Sequence, residues 1–270
     1  MKEKISYTTF LILVPSILTL LYLLPENLRE NLVLYPKNPT LVSLFFSNYV
    51  HENFYHLLGN LISYIFTIIL LLILNNNRKR FYIEIIPIFL ILPWINSLAI
   101  VLLLRDVLHR SLGFSAINSG LIGYLLYSTC RHIKDKYNID LGTNFILGVY
   151  IFTLATGTLI CAIGYNLKYA IIAILFLPFS LWLFYLERNN LKDVLDRLKL
   201  EVKTKQTVNI FHAYIVMLSL LFAFATALVL IPPNLTVNGS VINIVSHWIG
   251  YGFGVLEPMI LEIGNTRTHF

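Results

Sequence analysis

Runs of about twenty apolar residues recur along this chain and constrain its fold more than any other feature. A helix rises about 1.5 Å per residue, so a run of this length crosses the roughly 30 Å hydrocarbon core of a bilayer. Of the 270 residues, 57% are hydrophobic and 13% are charged. That is too little charge to cover a soluble domain of this length. The sequence therefore predicts an all-α polytopic membrane protein.

The apolar runs predict eight spans within a single membrane-embedded domain, residues 1–270. The spans are expected at about 7–24, 55–74, 81–104, 115–128, 143–163, 169–186, 209–231 and 242–260. The first run lacks a small-residue cleavage site, so it is interpreted as a retained helix and not as a signal peptide. The fourth is short and rich in small residues, and is expected to be enclosed by other helices. Cys130 and Cys161 are expected at opposite ends of one helix, too far apart for a disulfide.

Basic residues lie mainly in the short loops on one side of the predicted membrane. Of the 20 Lys and Arg residues, 15 fall on that side and five on the other. By the positive-inside rule the first side is cytoplasmic, which predicts a multi-pass protein of the cell membrane with both termini inside. Segments 25–50, 105–114 and 232–241 are then outside, and 187–207 is inside. The net charge of +6 is explained by this asymmetry, and no nucleic-acid partner is expected.

Two connections between spans are long enough to have structure of their own. In 187–207, apolar residues recur at helical spacing among charges: Leu191, Val194, Leu195, Leu198 and Val202. This pattern is typical of an amphipathic helix on the inner membrane surface. A solvated helical linker fits the pattern equally well. Segment 25–50 is partly apolar and is expected to dip into the membrane interface.

The first polar cluster lies at the start of the second span. His56 and Asn60 are four residues apart and therefore share one helix face, while His51 precedes them. The side chains of His56 and Asn60 can both donate hydrogen bonds, and two donors on one helix face can stabilise a developing negative charge. The alternative is an interfacial His and Asn that bind loop backbone.

The second cluster, around Ser115, opens the fourth span. A serine at a helix N-terminus has free backbone N–H groups and a positive dipole end beside it, and both stabilise an oxyanion. Gly113 would let the backbone approach a substrate closely and line the site. The alternative is that Ser115 is simply an N-cap.

The third cluster lies in the last span. His247, Gly250 and Gly254 fall on one helical stripe, where the glycines permit close packing against another helix. Small residues on the fourth and last spans are expected to bring Ser115 and His247 together. The alternative is a packing motif with an incidental histidine.

Together the clusters supply a serine, a histidine and oxyanion donors near one membrane face, which is what acyl transfer needs. No carboxylate is placed to complete a triad, so a Ser–His dyad is favoured. In motif and order the chain resembles the rhomboid family of intramembrane serine proteases. The family's His-x4-His-x3-Asn pattern is matched by His51, His56 and Asn60. Its G-x-S-G is approached by Gly113 to Ala116. Its Ala-His-x2-Gly-x3-Gly is matched at His247, Gly250 and Gly254.

The resemblance implies a nucleophile, Ser115, and a general base, His247. It implies an oxyanion hole of His56, Asn60 and the Ser115 backbone N–H. Alanine replaces the last glycine of G-x-S-G, Ser119 stands where a tyrosine is common, and the Trp-Arg pair of the first outer loop is absent. The family core has six helices, so two are extra here, within a poorly matched insertion at about 130–207.

The leading hypothesis is a protease that cuts single-span transmembrane substrates near the outer membrane face. No metal or organic cofactor is expected. One alternative is a catalytically inactive rhomboid-like protein that binds membrane clients, and another is a transporter. The dyad hypothesis predicts that Ser115 Oγ and His247 Nε2 lie within about 3.5 Å of each other.

Overall fold

The computed structural model describes residues 5–164, 168, 170–230, 236–237, 240–241 and 244–267, with side chains for 9–163, 168, 170–225 and 244–263. Most of these residues are helical. The helices are α1 Ile5–Tyr22, α2 Glu26–Glu30, α3 Leu41–Phe46, α4 Phe54–Leu74, α5 Arg78–Leu90, α6 Leu92–Leu103, α7 Ser115–Tyr137, α8 Gly142–Gly164, α9 Ala170–Leu186, α10 Arg188–Lys203, α11 Thr207–Leu230 and α12 Ile244–Arg267. Two-residue strands, β1 Thr236–Val237 and β2 Ser240–Val241, pair antiparallel.

Within the described part of the chain, five helical segments are long and apolar enough to cross a membrane. They are Phe54–Leu74, Arg78–Leu103, Gly142–Ile163, Thr207–Ala225 and Ile244–Ile263. The pair α9 and α10 makes a sixth if it counts as one span, although the two helices meet at a bend of 64°. The protein is therefore a polytopic helical membrane protein. The count of eight spans stays a prediction. The part of α1 described with side chains, Thr9–Tyr22, is shorter than 18 residues, and α7 is long enough but is not among the segments apolar enough to cross a membrane.

Two predicted spans differ in detail from the expectation. The third is interrupted at Ile91, between α5 and α6. Pro87 lies inside α5 and Pro93 in the first turn of α6, and a proline cannot donate the helical hydrogen bond. The fourth continues well beyond residue 128, to Tyr137, and its residues from 116 to 130 are all buried, which confirms that it is enclosed. Cys130 lies on α7 and Cys161 on α8, so their predicted placement on one helix is wrong.

Close contacts divide the chain into two compact units. Unit 1 comprises Met1–Leu121 and Asn243–Glu257, and unit 2 comprises Ile122–Ile242 and Pro258–Phe270. The core of unit 1 is aromatic. The Phe114 ring is fully buried against Tyr64 and Phe89, with centroid distances of 5.8 and 6.3 Å. This packing holds the residue immediately before Ser115.

The connection 25–50 in unit 1 is folded onto its neighbours. Leu34 pairs with Ser111 in a β-bridge and packs with Ile100 and Leu108 in a buried apolar cluster. Other apolar residues of the segment are exposed, such as Leu41 at 75%. The segment therefore buries part of its apolar surface against the protein, and its contact with the membrane interface stays a prediction.

Unit 2 contains segment 130–207, which matches the family pattern poorly in sequence. Aromatic rings hold α8, α9 and α11 together, with Phe184 5.9 Å from Phe145 and 5.7 Å from Phe224 between centroids. Segment 188–203 is helical as predicted and buries Val194 and Leu198. Its position on the membrane surface stays a prediction. Most of the predicted outer segment 232–241 lies outside the described residues.

Candidate functional site

Helix α4 begins with the residues that carry the first polar cluster. The Asn53 side chain caps the helix by accepting a hydrogen bond from the His56 backbone N–H at 2.9 Å. One turn later, Asn60 Nδ2 donates to the His56 carbonyl oxygen at 3.0 Å. The His56 ring is half-buried and Asn60 is buried, so the predicted shared face exists and turns inward.

Gly113 is held directly against His56. Its backbone has φ +124°, which L side chains rarely adopt, and its N–H donates to the Ser47 carbonyl at 2.9 Å. A Cβ at this position would lie 2.7 Å from His56 Cε1 and 2.9 Å from Nε2. The glycine is therefore needed for contact with the imidazole, in addition to any contact with substrate.

On the other side of Ser115, α7 packs against α12 at Gly250. A Cβ at Gly250 would overlap the Ala116 carbonyl oxygen and would lie 3.1 Å from Ser119 Cβ. Only a glycine permits this backbone contact. His247 is half-buried one turn before Gly250 on α12, and Gly254 is buried one turn after it.

Helices α4 and α7 are also joined by two side-chain amides. Asn118 Nδ2 lies 3.0 Å from both the carbonyl oxygen and Oδ1 of Asn60, and donates to both. Both residues are buried. Sequence reasoning missed Asn118, although a polar side chain one turn after Ser115 in a small-residue span was a signal.

Unit 1 thus joins all three predicted clusters. Gly113, two residues before Ser115, contacts His56, and Ala116, the residue after it, contacts Gly250. Ser115 itself is half-buried at the first residue of α7, where backbone N–H groups lack intrahelical acceptors. This arrangement offers donors to an anion beside a serine hydroxyl. The distance between Ser115 Oγ and His247 Nε2 stays a prediction.

His51, the first residue of the motif, packs against the ring of His56. It is fully buried, and its ring meets His56 edge to face at a centroid distance of 5.1 Å. Burial, reinforced by the neighbouring His56, lowers the pKa of His51 to about 3, while the Tyr49 backbone opposes this to a smaller extent. His51 is therefore neutral at physiological pH and acts as a packing residue for His56.

A fourth polar cluster, in unit 2, was not predicted from the sequence. His132 Nε2 and His212 Nε2 lie 2.7 Å apart, and His212 Nδ1 lies 2.8 Å from Glu201 Oε2. Lys136 Nζ binds the other oxygen of Glu201 at 2.7 Å. The fourth span was predicted to end at about residue 128, which would place His132 in a loop, but α7 extends through His132 to Tyr137, so that placement is wrong. No local pattern reveals the cluster, because its members come from three helices.

Among the residues that the structure describes, no group of three or more His, Cys, Asp and Glu side chains is arranged to hold a metal ion. No family model, no curated protein and no solved structure matches the chain. The sequence motifs and the geometry of unit 1 are therefore the features that indicate a function for this chain.

Proposed function

We propose that this protein is an intramembrane serine protease with a rhomboid-like fold. Ser115 is the nucleophile and His247 the general base. His56, Asn60 and the Ser115 backbone N–H hold the oxyanion. The substrates are single-span transmembrane proteins, cut near the outer face of the cell membrane, with both termini of the enzyme in the cytoplasm.

One observation carries the proposal: the backbone on both sides of Ser115 is in contact with the other two motif segments. Gly113 is within van der Waals contact of the His56 ring, and Gly250 is packed on Ala116. Each contact requires a glycine, and each glycine belongs to a motif that the sequence analysis singled out. Helix packing alone would not need a serine between the two contacts or a histidine one turn from the second.

The proposed catalytic steps use Ser115, His247 and the three oxyanion donors. His247 takes the proton of Ser115 Oγ as the oxygen bonds to the scissile carbonyl carbon, and the carbonyl oxygen becomes an oxyanion held by the three donors. The imidazolium then gives its proton to the leaving amine, and the C–N bond breaks. Water then attacks the acyl carbon as His247 takes its proton. The imidazolium returns that proton to Ser115 Oγ as the ester bond breaks, which releases the carboxyl product and restores the Ser115 hydroxyl.

The test is cleavage of a model single-span substrate by the purified protein in lipid vesicles. The wild type is expected to release two fragments, and Ser115→Ala and His247→Ala are expected to release none. Lys192→Ala, an exposed change on α10, serves as the matched control and should retain activity. If the wild type binds the substrate without cleaving it, the client-binding alternative replaces the protease.

A further inference from the structure

The oxygen of the Asn60 amide is held by one neighbouring side chain, that of Asn118. Asn60 Oδ1 accepts from Asn118 Nδ2 at 3.0 Å, and the same Nδ2 also donates to the Asn60 backbone carbonyl at 3.0 Å. Asn118 is 4% exposed, and its own Oδ1 has no hydrogen-bond partner among the described residues. Every hydrogen bond that the structure gives the Asn118 side chain is therefore made to Asn60.

The contact with Asn118 fixes the orientation of the Asn60 amide. An Asn amide has two N–H donors on Nδ2 and one acceptor oxygen. One of the donors goes to the His56 carbonyl oxygen at 3.0 Å. Because Asn118 holds the oxygen, the amide cannot exchange its oxygen and nitrogen without losing both contacts. One N–H of Asn60 is left for a ligand, on the helix face shared with His56.

We propose that Asn118 is a positioning residue, which holds the Asn60 amide with its remaining N–H toward the oxyanion. This inference rests on the proposed protease function and assigns Asn118 no contact with substrate. Without Asn118 only the hydrogen bond to the His56 carbonyl still orients the amide. The amide can then rotate and present its oxygen, which repels an oxyanion. Loss of Asn118 then weakens transition-state binding and leaves ground-state binding of the substrate nearly unchanged.

A purely structural tie between α4 and α7 predicts a different result. It would lower the amount of folded protein and leave each folded molecule fully active. The chain offers a matched control for this in unit 1. Asn96 is also 4% exposed, donates through Nδ2 to another amide oxygen, Asn48 Oδ1, at 2.8 Å, and has a buried Oδ1 without a partner among the described residues.

The experiment measures kcat and KM for Asn118→Leu, Asn60→Leu, the double variant and Asn96→Leu. Rates are divided by the fraction of Ser115 titrated to completion with a fluorophosphonate. Asn118→Leu is expected to lower kcat per titrated site about 10- to 100-fold with KM changed less than about threefold. The double variant should match Asn60→Leu within about twofold, and Asn96→Leu should have wild-type kcat. Asn118→Ala carries the same expectations if leucine prevents folding.

Three results would overturn the proposal, and they do so in two distinguishable ways. If the wild type cleaves and the losses in kcat of Asn118→Leu and Asn60→Leu multiply in the double variant, Asn118 does not act through Asn60 and only the positioning role fails. Unchanged kcat per titrated site in Asn118→Leu would likewise rule out the positioning role and leave the protease function standing. If wild-type protein neither cleaves nor is labelled at Ser115, the protease function fails and the positioning role with it.

Discussion

Three serines lie close together in sequence around the start of α7, and their surroundings differ. Ser119 is fully buried, and its hydroxyl donates to the Ser115 carbonyl at 2.8 Å. Ser111 is held through its backbone in the bridge to Leu34. Ser115 is half-buried at the helix N-terminus. We expect a fluorophosphonate to form an adduct on Ser115 and on neither of the others, as located by mass spectrometry of the labelled protein.

Two variants control this labelling. His247→Ala should slow it at least about 100-fold, because the hydroxyl loses its base. Ser119→Ala should be labelled nearly as fast as the wild type, since it removes a hydroxyl that the chemistry does not use. An adduct on Ser119 would mean that the motif is assigned in the wrong register.

Burial of neutral His51 is expected to make the fold sensitive to acid. Its pKa is lowered to about 3, whereas an unfolded histidine titrates near 6.5. Between these values the unfolded chain binds a proton that the folded chain does not, so stability falls as the pH falls through this window, by at most about 1.4 kcal/mol per pH unit. Between pH 7 and pH 4.5, the melting temperature of His51→Gln should fall less than the melting temperature of the wild type.

The control for this measurement is His109→Gln, because His109 is exposed in a loop. It should follow the wild-type pH dependence. Equal acid sensitivity in the wild type and His51→Gln would show that other groups govern acid unfolding.

At the level of whole helices, the contact of α7 with α12 depends on a single missing side chain. At Gly250 a methyl group would overlap the Ala116 backbone, whereas at Gly59, on α4, an added Cβ meets nothing within 4 Å. We expect Gly250→Ala to lower stability by about 1–3 kcal/mol through overpacking and to reduce Ser115 labelling, because α12 must shift. Gly59→Ala should be neutral or stabilising by up to about 1 kcal/mol.

The same surface can be tested one turn further along α12. Gly254 is buried, whereas Leu256 is 41% exposed. Gly254→Leu is therefore expected to impair cleavage more than Leu256→Ala does. If Gly254→Leu is folded and as active as the wild type, the glycine stripe is not the contact surface that the dyad needs.

Helices α7, α10 and α11 are tied together in unit 2 by Glu201. Its carboxylate binds Lys136 at 2.7 Å and His212 at 2.8 Å and is largely buried. Glu201→Ala leaves those partners unsatisfied and should cost about 1–3 kcal/mol in thermal unfolding. Asp196→Ala, which removes an exposed pair with Lys199 on the same helix, should cost less than about 1 kcal/mol. Equal losses would mean that the Glu201 cluster adds nothing beyond a surface ion pair.

Over the whole chain, the features that could be predicted from the sequence are those that depend on local composition. Apolar runs revealed where the helices lie, and the helical stripe of His247 and Gly250 revealed which face of α12 packs. The extension of α7 to Tyr137 was missed because its last turns are charged and resemble a loop, although helical hydrogen bonding continues through them. The pairing of Asn60 with Asn118 was missed because it joins positions 58 residues apart, which no local pattern connects.

The orientation of the whole molecule in the membrane is the last property that the charge pattern predicts. Val107, in the connection after α6, is 70% exposed, and Lys192 on α10 is exposed. In a background with both buried native cysteines replaced by alanine, Val107→Cys should react with a membrane-impermeant maleimide added to intact cells. Lys192→Cys should react only after the cells are opened. Asn238, in the predicted outer segment 232–241, lies outside the described residues. The reverse labelling would invert the topology, put Ser115 at the cytoplasmic end of α7, and leave cleavage near the outer face without a nucleophile.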